Sequence, residues 1–187
     1  MGSPTLRDDL LVWIDLEMTG LDPGKDVIIE IATIITDGQL KVIAEGPAHV
    51  IHRSEELLSS MIPIVRDMHE KNGLTQKSRE SKIGAAQAEF ETLKFIQQHC
   101  KERTTPLCGN SVWMDRLFLN RQMAAVDRYL HHRCIDVSTI KELARRWRPE
   151  VLHAAPQKPD CHRALDDIRA SIAELEYYKT RFPLARA

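Results

Sequence analysis

Two acidic side chains, Asp15 and Glu17, interrupt an otherwise apolar segment near the start of the chain. In a β-strand, residues two apart point to the same face, so these carboxylates are expected about 6–7 Å apart along the chain. Two acids on one face are costly to bury without a partner. The pair alone leaves two interpretations open, a metal site and a solvent-exposed edge strand.

Two further acids, Asp115 and Asp167, are each predicted to lie near the start of a helix. Acids at helix starts commonly act as caps. Helix starts that follow strands also lie near strand ends, where open α/β sheets form their sites. Four carboxylates that converge there repel one another unless cations neutralise them. Oxygen ligands favour hard divalent ions, so the four acids together predict a site for Mg²⁺ or Mn²⁺.

A histidine, His162, lies five residues before Asp167. On a continuous helix that offset would splay the two side chains apart, but a histidine in the loop that enters the helix can face the same cleft. Beside a metal cluster it is suited to be the general base that deprotonates a water molecule. A structural histidine near a helix start is the alternative interpretation.

The composition indicates an ordinary globular protein. The 187 residues suffice for one domain, predicted over residues 10–183 after an N-terminal tail, 1–9, whose first residues match an expression scar. No run of about 18 apolar residues occurs, so no membrane span is expected. The net charge of −1 is unlike that of proteins that coat long nucleic acid, so any nucleic-acid contact is expected to be short and local.

The four cysteines, Cys100, Cys108, Cys134 and Cys161, form no C-x-x-C pair. They indicate reduced thiols in an intracellular protein. Cys161 beside His162 does not predict zinc, because a tetrahedral site needs further spaced ligands. A cytoplasmic location is expected, and a mitochondrial form stays open because a transit peptide can be trimmed.

Apolar periodicity predicts an α/β fold in which an antiparallel meander of three strands precedes alternating strands and helices, giving a mixed sheet with helices on both faces. The predicted strands are Leu10–Met18, Val27–Thr36, Leu40–Ile51, Pro106–Asn110 and Arg133–Val137. The predicted helices are Glu55–Ser60, Ile64–Lys71, Gly84–Lys101, Met114–Ala125, a helix capped by Ser138 that ends at Trp147, and Arg163–Thr180. Phe90, Leu93 and Ile96 are predicted core positions, and Arg148–Asp160 is predicted to be a loop.

Three short motifs resemble those of the DEDDh group of 3′→5′ exonucleases: Asp15-Leu16-Glu17, Asn110–Asp115 and His162–Asp167. The last one matches H-x-A-x-x-D, and its histidine, in place of tyrosine, is typical of the DEDDh subtype. Longer segments narrow the resemblance to the oligoribonuclease family. These segments are Val12–Asp22, Ala44–Pro47, Asp136–Trp147 and His162–Ile168.

The resemblance implies an RNase H-like exonuclease fold, a mixed five-stranded sheet flanked by helices, and a homodimer. It implies a 3′→5′ exoribonuclease that degrades very short RNA, dinucleotides especially, to 5′-mononucleotides. On the matching positions, Asp15, Glu17, Asp115 and Asp167 bind two divalent ions, and His162 is the general base.

The resemblance also implies which residues contact the substrate. Leu21 wedges beside a base. Ser111, Arg133 and Ser138 contact the terminal phosphate, and Arg133 does so from the partner subunit.

Two positions depart from the family pattern. Ile64 stands where many members have tryptophan, and His132 stands where they have tyrosine. Those aromatic rings stack on bases, which contributes about 1–3 kcal/mol per base. Ile64 is therefore expected to weaken the grip on substrate, whereas His132 can still stack and adds a group that titrates near neutral pH.

Three other functions compete with this interpretation. A DEDDh exonuclease acting on longer RNA or DNA ends, such as a proofreading or repair subunit, shares all the motifs. A noncatalytic nucleic-acid-binding module would have no need of four acids and a histidine together. A dinucleotide-binding oxidoreductase is disfavoured because no G-x-G-x-x-G follows the first strand.

Overall fold

The computed structural model describes residues 9–156 and 162–181. Its sheet has five strands in the order β3-β2-β1-β4-β5. The strands are β1 (Leu11–Met18), β2 (Ile28–Thr36), β3 (Val42–Val50), β4 (Leu107–Gly109) and β5 (Cys134–Asp136). β1 pairs antiparallel with β2, and β2 with β3, whereas β4 and β5 run parallel to β1. The predicted meander and mixed sheet are therefore confirmed.

Nine helices lie within the described residues. They are α1 (Glu55–Ser59), α2 (Pro63–Lys71), α3 (Leu74–Glu80), α4 (Ala85–His99), α5 (Trp113–Gln122), α6 (Ala124–Tyr129), α7 (Val137–Trp147), α8 (Pro149–His153) and α9 (Ala164–Arg181). No helix in 9–156 or 162–181 is long and apolar enough to cross a membrane.

The sheet is buried between two groups of helices. One face of β1, formed by Val12, Ile14 and Leu16, packs in a cluster with residues of α4 and α5. Trp13 points to the other face and packs with residues of α7 and α9. Every residue of β2 is buried, which agrees with the prediction of a strand covered on both faces. Asp15 and Glu17 share the parity of Trp13, so they face α9.

Several local predictions are wrong. The predicted helix over 114–125 is two helices, α5 and α6, which meet at Met123 with φ −138° and ψ 55°. α7 is capped by Asp136, whose side chain accepts a hydrogen bond from the Ser138 backbone N–H. Phe90 is 63% exposed on α4, so it is not a core residue.

Two short helices were not predicted. α3 follows Gly73, which adopts a left-handed φ of 75°. α8 occupies the start of the segment predicted to be a loop, and Pro149 is its first residue, where the missing N–H removes no helical hydrogen bond. Residues 157–160 of that segment lie outside the described residues, as does Cys161. Cys100, Cys108 and Cys134 carry free thiols.

Candidate active site

The predicted acids gather at the carboxyl end of β1. Asp115, in the first turn of α5, accepts a hydrogen bond from the Leu16 backbone N–H at 3.0 Å. Asp115 therefore lies beside the strand that carries Asp15 and Glu17. A side chain at Gly109 would approach the Ile14 carbonyl oxygen at 3.3 Å. The glycine thus allows the chain that leads into α5 to pass close to β1.

The last helix completes this cluster. Candidate ligand atoms of Glu17, His162 and Asp167 all lie within 4.8 Å of one another. Burial, followed by the charges of Asp115, Glu17 and Asp167, raises the pKa of Asp15. The structure therefore brings together all five residues that were predicted to form the metal site and its base.

The electrostatics of the cluster suit divalent cations. Burial, followed by the charge of Asp167, raises the pKa of Glu17 to about 8. Burial also raises the pKa of Asp115 to about 7, and it raises that of Asp15 well above its usual value. Acids whose ionised forms are this unfavourable are stabilised by cations at the same place. The residues therefore fit hard divalent ions held by oxygen ligands.

Removal of divalent ions should make stability depend on pH. Burial raises the folded-state pKa of Glu17 to about 8 and that of Asp115 to about 7. The pKa of a carboxyl side chain in the unfolded chain is about 4. Between about pH 4 and pH 8 the folded state holds more protons than the unfolded state, so its free energy of unfolding falls as pH rises. In EDTA the melting temperature should therefore drop from about pH 5 to pH 8, and Mg²⁺ or Mn²⁺ should raise it most at pH 8. Thermal unfolding at both pH values measures this, and a pH-independent melting temperature in EDTA would contradict it.

His162 lies in the loop before α9, as predicted. Its backbone is left-handed, with a φ of 45°. The Asn72 side-chain amide donates to the His162 carbonyl oxygen at 2.6 Å. The next residue, Arg163, donates its backbone N–H to Asp167 Oδ2 at 3.0 Å. The histidine is therefore held between the α2–α3 junction and the first turn of α9.

A buried ion pair beside the cluster was not predicted. Glu30 of β2 lies directly opposite Glu17 in the β1–β2 register, where like charges repel. Arg163 neutralises it by donating from Nε to both Glu30 oxygens, at 3.2 and 3.1 Å, and from Nη2 at 2.6 Å. Glu30 also accepts the Ala164 backbone N–H at 3.2 Å. Glu30 therefore anchors the start of the helix that carries Asp167.

Loss of Arg163 should destabilise the fold strongly. Arg163→Ala leaves the buried Glu30 carboxylate without its partner, which is expected to lower the free energy of unfolding by about 3–5 kcal/mol. Arg169→Ala is a matched control, because it removes only exposed pairs, to Glu45 at 2.9 Å and to Asp166 at 3.3 Å, each of which should contribute at most about 1 kcal/mol. Urea denaturation of both variants compares them, and equal losses would contradict the structural role of the Glu30–Arg163 pair.

A second residue that sequence reasoning missed is His69 of α2. It is fully buried, and its Nε2 lies 2.9 Å from the Met18 carbonyl oxygen and 4.0 Å from Glu17 Oε2. Burial lowers the pKa of His69, which favours the neutral ring, and Nε2 then donates to Met18. His69 therefore fixes the end of β1 directly after Glu17. Because it lies in a short helix with other polar residues, nothing in the sequence indicated that His69 is buried beside the acid cluster.

Two of the predicted phosphate contacts lie together. The hydroxyl oxygens of Ser111 and Ser138 are 3.2 Å apart. The Ser111 backbone N–H donates to Ser138 Oγ and to Asp136 Oδ1, both at 2.9 Å. Ser138 Oγ donates to Asn110 Oδ1 at 3.1 Å. Both serines line a pocket of about 390 Å³ between the starts of α5 and α7.

Leu21 is positioned by the loop after β1. Asp26 accepts hydrogen bonds from the Thr19 hydroxyl and the Asp22 backbone N–H, both at 2.9 Å. These bonds fold the loop back on itself, and Leu21 is 67% exposed at its tip. Its apolar side chain is therefore presented to solvent beside the end of β1, which suits contact with a base.

Arg133 and His132 are not brought to this site within one chain. Both are exposed and precede β5, whereas Ser138 follows it. They therefore lie at the opposite end of a strand from the serine pocket. Ile64, at the first departure from the family pattern, is 74% exposed at the start of α2.

Comparison with known proteins finds similarity over most of the chain. A family model described as Exonuclease matches residues 12–175. An oligoribonuclease from Pseudomonas aeruginosa strain PAO1 is 52% identical over 172 residues, which cover 92% of this chain and 95% of that protein. An oligoribonuclease from Pseudomonas syringae pv. tomato is 54% identical with the same coverage of both chains.

Solved structures share the fold at lower sequence similarity. The zinc-bound complex of E. coli ExoI with single-stranded DNA superposes with a TM-score of 0.73 at 19% identity, over 95% of this chain and 42% of that chain. Exonuclease I from Methylocaldum szegediense gives a TM-score of 0.71 at 19% identity, over 94% of this chain and 41% of that one. The predicted RNase H-like exonuclease fold is confirmed by these neighbours.

Proposed function

Because the chain belongs to this exonuclease family and is a 3′→5′ exoribonuclease, we propose that its substrates are very short RNAs, dinucleotides above all. It releases 5′-mononucleotides from them. The observation that carries this proposal is the pocket lined by Ser111 and Ser138, which lies at the start of α5, the helix whose first turn carries Asp115 of the acid cluster. If this pocket receives the 5′ phosphate, only a few nucleotides fit between that phosphate and the scissile bond at the acid cluster.

The proposed mechanism uses the five clustered residues. Asp15, Glu17, Asp115 and Asp167 would hold two divalent ions, Mg²⁺ or Mn²⁺. Bound divalent ions lower the pKa of water and stabilise charge on phosphate oxygens. The His162 imidazole accepts the proton of the water that attacks the phosphorus, which is the role of a general base. The new bond from the water oxygen to phosphorus replaces the bond to the 3′ oxygen of the preceding nucleotide, which departs and takes up a proton from solvent to become a hydroxyl.

Direct assay of products tests this proposal. The 5′-phosphorylated dinucleotide of adenosine, pApA, should be converted completely to 5′-AMP in Mg²⁺ or Mn²⁺, and EDTA should stop the reaction. Chromatography distinguishes 5′-AMP from 3′-AMP and from adenosine. Accumulation of 3′-phosphorylated products would contradict the proposed direction of bond cleavage.

The proposed homodimer supplies Arg133 from the partner subunit. The position of Arg133, at the far end of β5 from Ser138, supports a contribution in trans. The free buried thiols of Cys100 and Cys108 support the proposed cytoplasmic location, because such thiols persist in reducing compartments.

Mixing two inactive variants tests the partner contribution. Arg133→Ala and Asp167→Asn should each lose most activity. After random exchange of subunits, about half of the dimers are mixed and each holds one complete site, so about a quarter of the wild-type activity should return. The control is each variant alone, carried through the same exchange. If the mixture stays as inactive as the separate variants, Arg133 does not act across a dimer.

A further inference from the structure

An exposed indole lies at the pocket proposed for the 5′ phosphate. Trp113 is the first residue of α5 and is 58% exposed, whereas Val112 and Asp115 on either side of it are buried. Single exposed apolar residues are common and need no special explanation. The position of Trp113, rather than its exposure, distinguishes it.

Trp113 lines the same pocket as the two serines. The lining of this pocket of about 390 Å³ includes Ser111, Trp113 and Ser138. Two hydrogen bonds hold Ser111, since its backbone N–H donates to both Asp136 and Ser138. Its backbone is left-handed, with a φ of 50°. The serine hydroxyls and the indole therefore border one rigid cavity.

The charged side chains at the pocket are engaged by other groups of the protein. Arg146, which also lines it, pairs with Glu142 at 2.5 Å, so the charge of that glutamate is offset. The Asp136 carboxylate is occupied by the backbone N–H groups of Ser111 and Ser138, both at 2.9 Å. The apolar residues of the lining are Trp113 and Leu143, and of these only Trp113 has an aromatic face that can stack on a base.

The segment from Ser111 to Asp115 runs from the serine pocket to the acid cluster. Ser111 lies at the pocket proposed for the 5′ phosphate, and Asp115 lies at the cluster proposed for the scissile phosphate. In a 5′-phosphorylated dinucleotide these two phosphates are separated by one nucleoside. Trp113 lines the serine pocket itself, two residues after Ser111, so its ring is within reach of the base of a nucleoside whose 5′ phosphate lies at Ser111.

We propose that Trp113 stacks on the base of the 5′ nucleotide and so determines how tightly the substrate is held. This inference rests on the proposed function. Base–aromatic stacking is favourable for every base because each has a π face. Since Ile64 stands where many members of the family have an aromatic residue, Trp113 supplies a stacking surface from a different element of this chain.

Steady-state kinetics on pApA tests the stacking. Trp113→Ala should raise KM by about 5- to 150-fold, the range that corresponds to stacking of one base, with kcat little changed because the ring does not touch the reacting atoms. Trp113→Phe should keep KM near the wild-type value. Trp147→Ala is the matched control, since Trp147 is 62% exposed but lies at the end of α7, and it should leave KM unchanged.

A second substrate separates stacking from any general disturbance of the site. On a dinucleotide whose 5′ nucleoside lacks its base, Trp113→Ala and the wild type should have equal KM values. Trp113→Gln repeats the comparison with a polar side chain suited to an exposed position. A wild-type KM for the Ala and Gln variants on pApA would overturn the inference, and so would an equal rise on the abasic substrate. Both results would leave the proposed function standing, whereas failure of the wild type to cleave pApA would contradict the proposed function itself.

Discussion

Asp15→Asn and Asp167→Asn should each abolish hydrolysis of pApA, with losses of at least about 10³-fold in kcat. Each substitution removes a carboxylate from the proposed metal cluster, and bound ions contribute several kcal/mol of transition-state stabilisation. Neither change should unfold the protein, because each relieves repulsion among acids whose charges raise the pKa of Asp15. Activity assays and Mn²⁺ titration measure the two effects separately.

Asp166→Asn is the matched control for Asp167. Asp166 is the preceding residue in the first turn of α9, but it is exposed and pairs with Arg169 at 3.3 Å. Its loss should leave both the rate and Mn²⁺ binding close to the wild type. If Asp166→Asn were as inactive as Asp167→Asn, the effect would belong to the helix start in general and not to the metal cluster.

His162→Ala should lower kcat about 10²- to 10⁴-fold, the usual contribution of a general base. Metal binding should persist, because the four carboxylates remain in place. The neighbouring backbone is held by Asn72 at the His162 carbonyl oxygen and by Asp167 at the Arg163 N–H, so the loop should keep its conformation without the imidazole.

The distinction between base and ligand rests on two measurements of the same variant. Mn²⁺ affinity should match the wild type, while single-turnover hydrolysis of pApA should be slow. His153→Ala, which changes an exposed histidine of α8, should alter neither quantity. A His162→Ala variant that lost Mn²⁺ binding along with turnover would show that His162 acts as a ligand, and one with the wild-type rate would remove it from the mechanism.

The convergence of the four acids was predictable because their placement follows from local rules. The alternation of a strand places Asp15 and Glu17 on one face. The structure agrees, because Trp13, which has the same parity, packs with residues of α9. Asp115 and Asp167 lie in first turns of helices, where sequence patterns are strong. His162 lies in the loop before α9, as its offset from Asp167 required.

Features that depend on distant pairing were not predictable. Arg163 and Glu30 are 133 positions apart, and neither residue alone indicates an ion pair. The cap of α7 was assigned to Ser138 because serine and aspartate are equally good caps, and only the fold shows that Asp136 accepts the bond. Phe90 fits an apolar helical pattern, but α4 leaves that position in solvent.

Hydrolysis of labelled RNAs of two, five and twenty nucleotides, each with a 5′ phosphate, tests the central claim most directly. If Ser111 and Ser138 receive the 5′ phosphate close to the acid cluster, kcat/KM should be highest for the dinucleotide and fall steeply with length, in Mg²⁺ and in Mn²⁺ alike. Longer chains should be excluded because their 5′ phosphate cannot reach the pocket while their 3′ end is at the metals. Equal rates on all three lengths would contradict the claim and favour an exonuclease that acts on longer RNA or DNA ends.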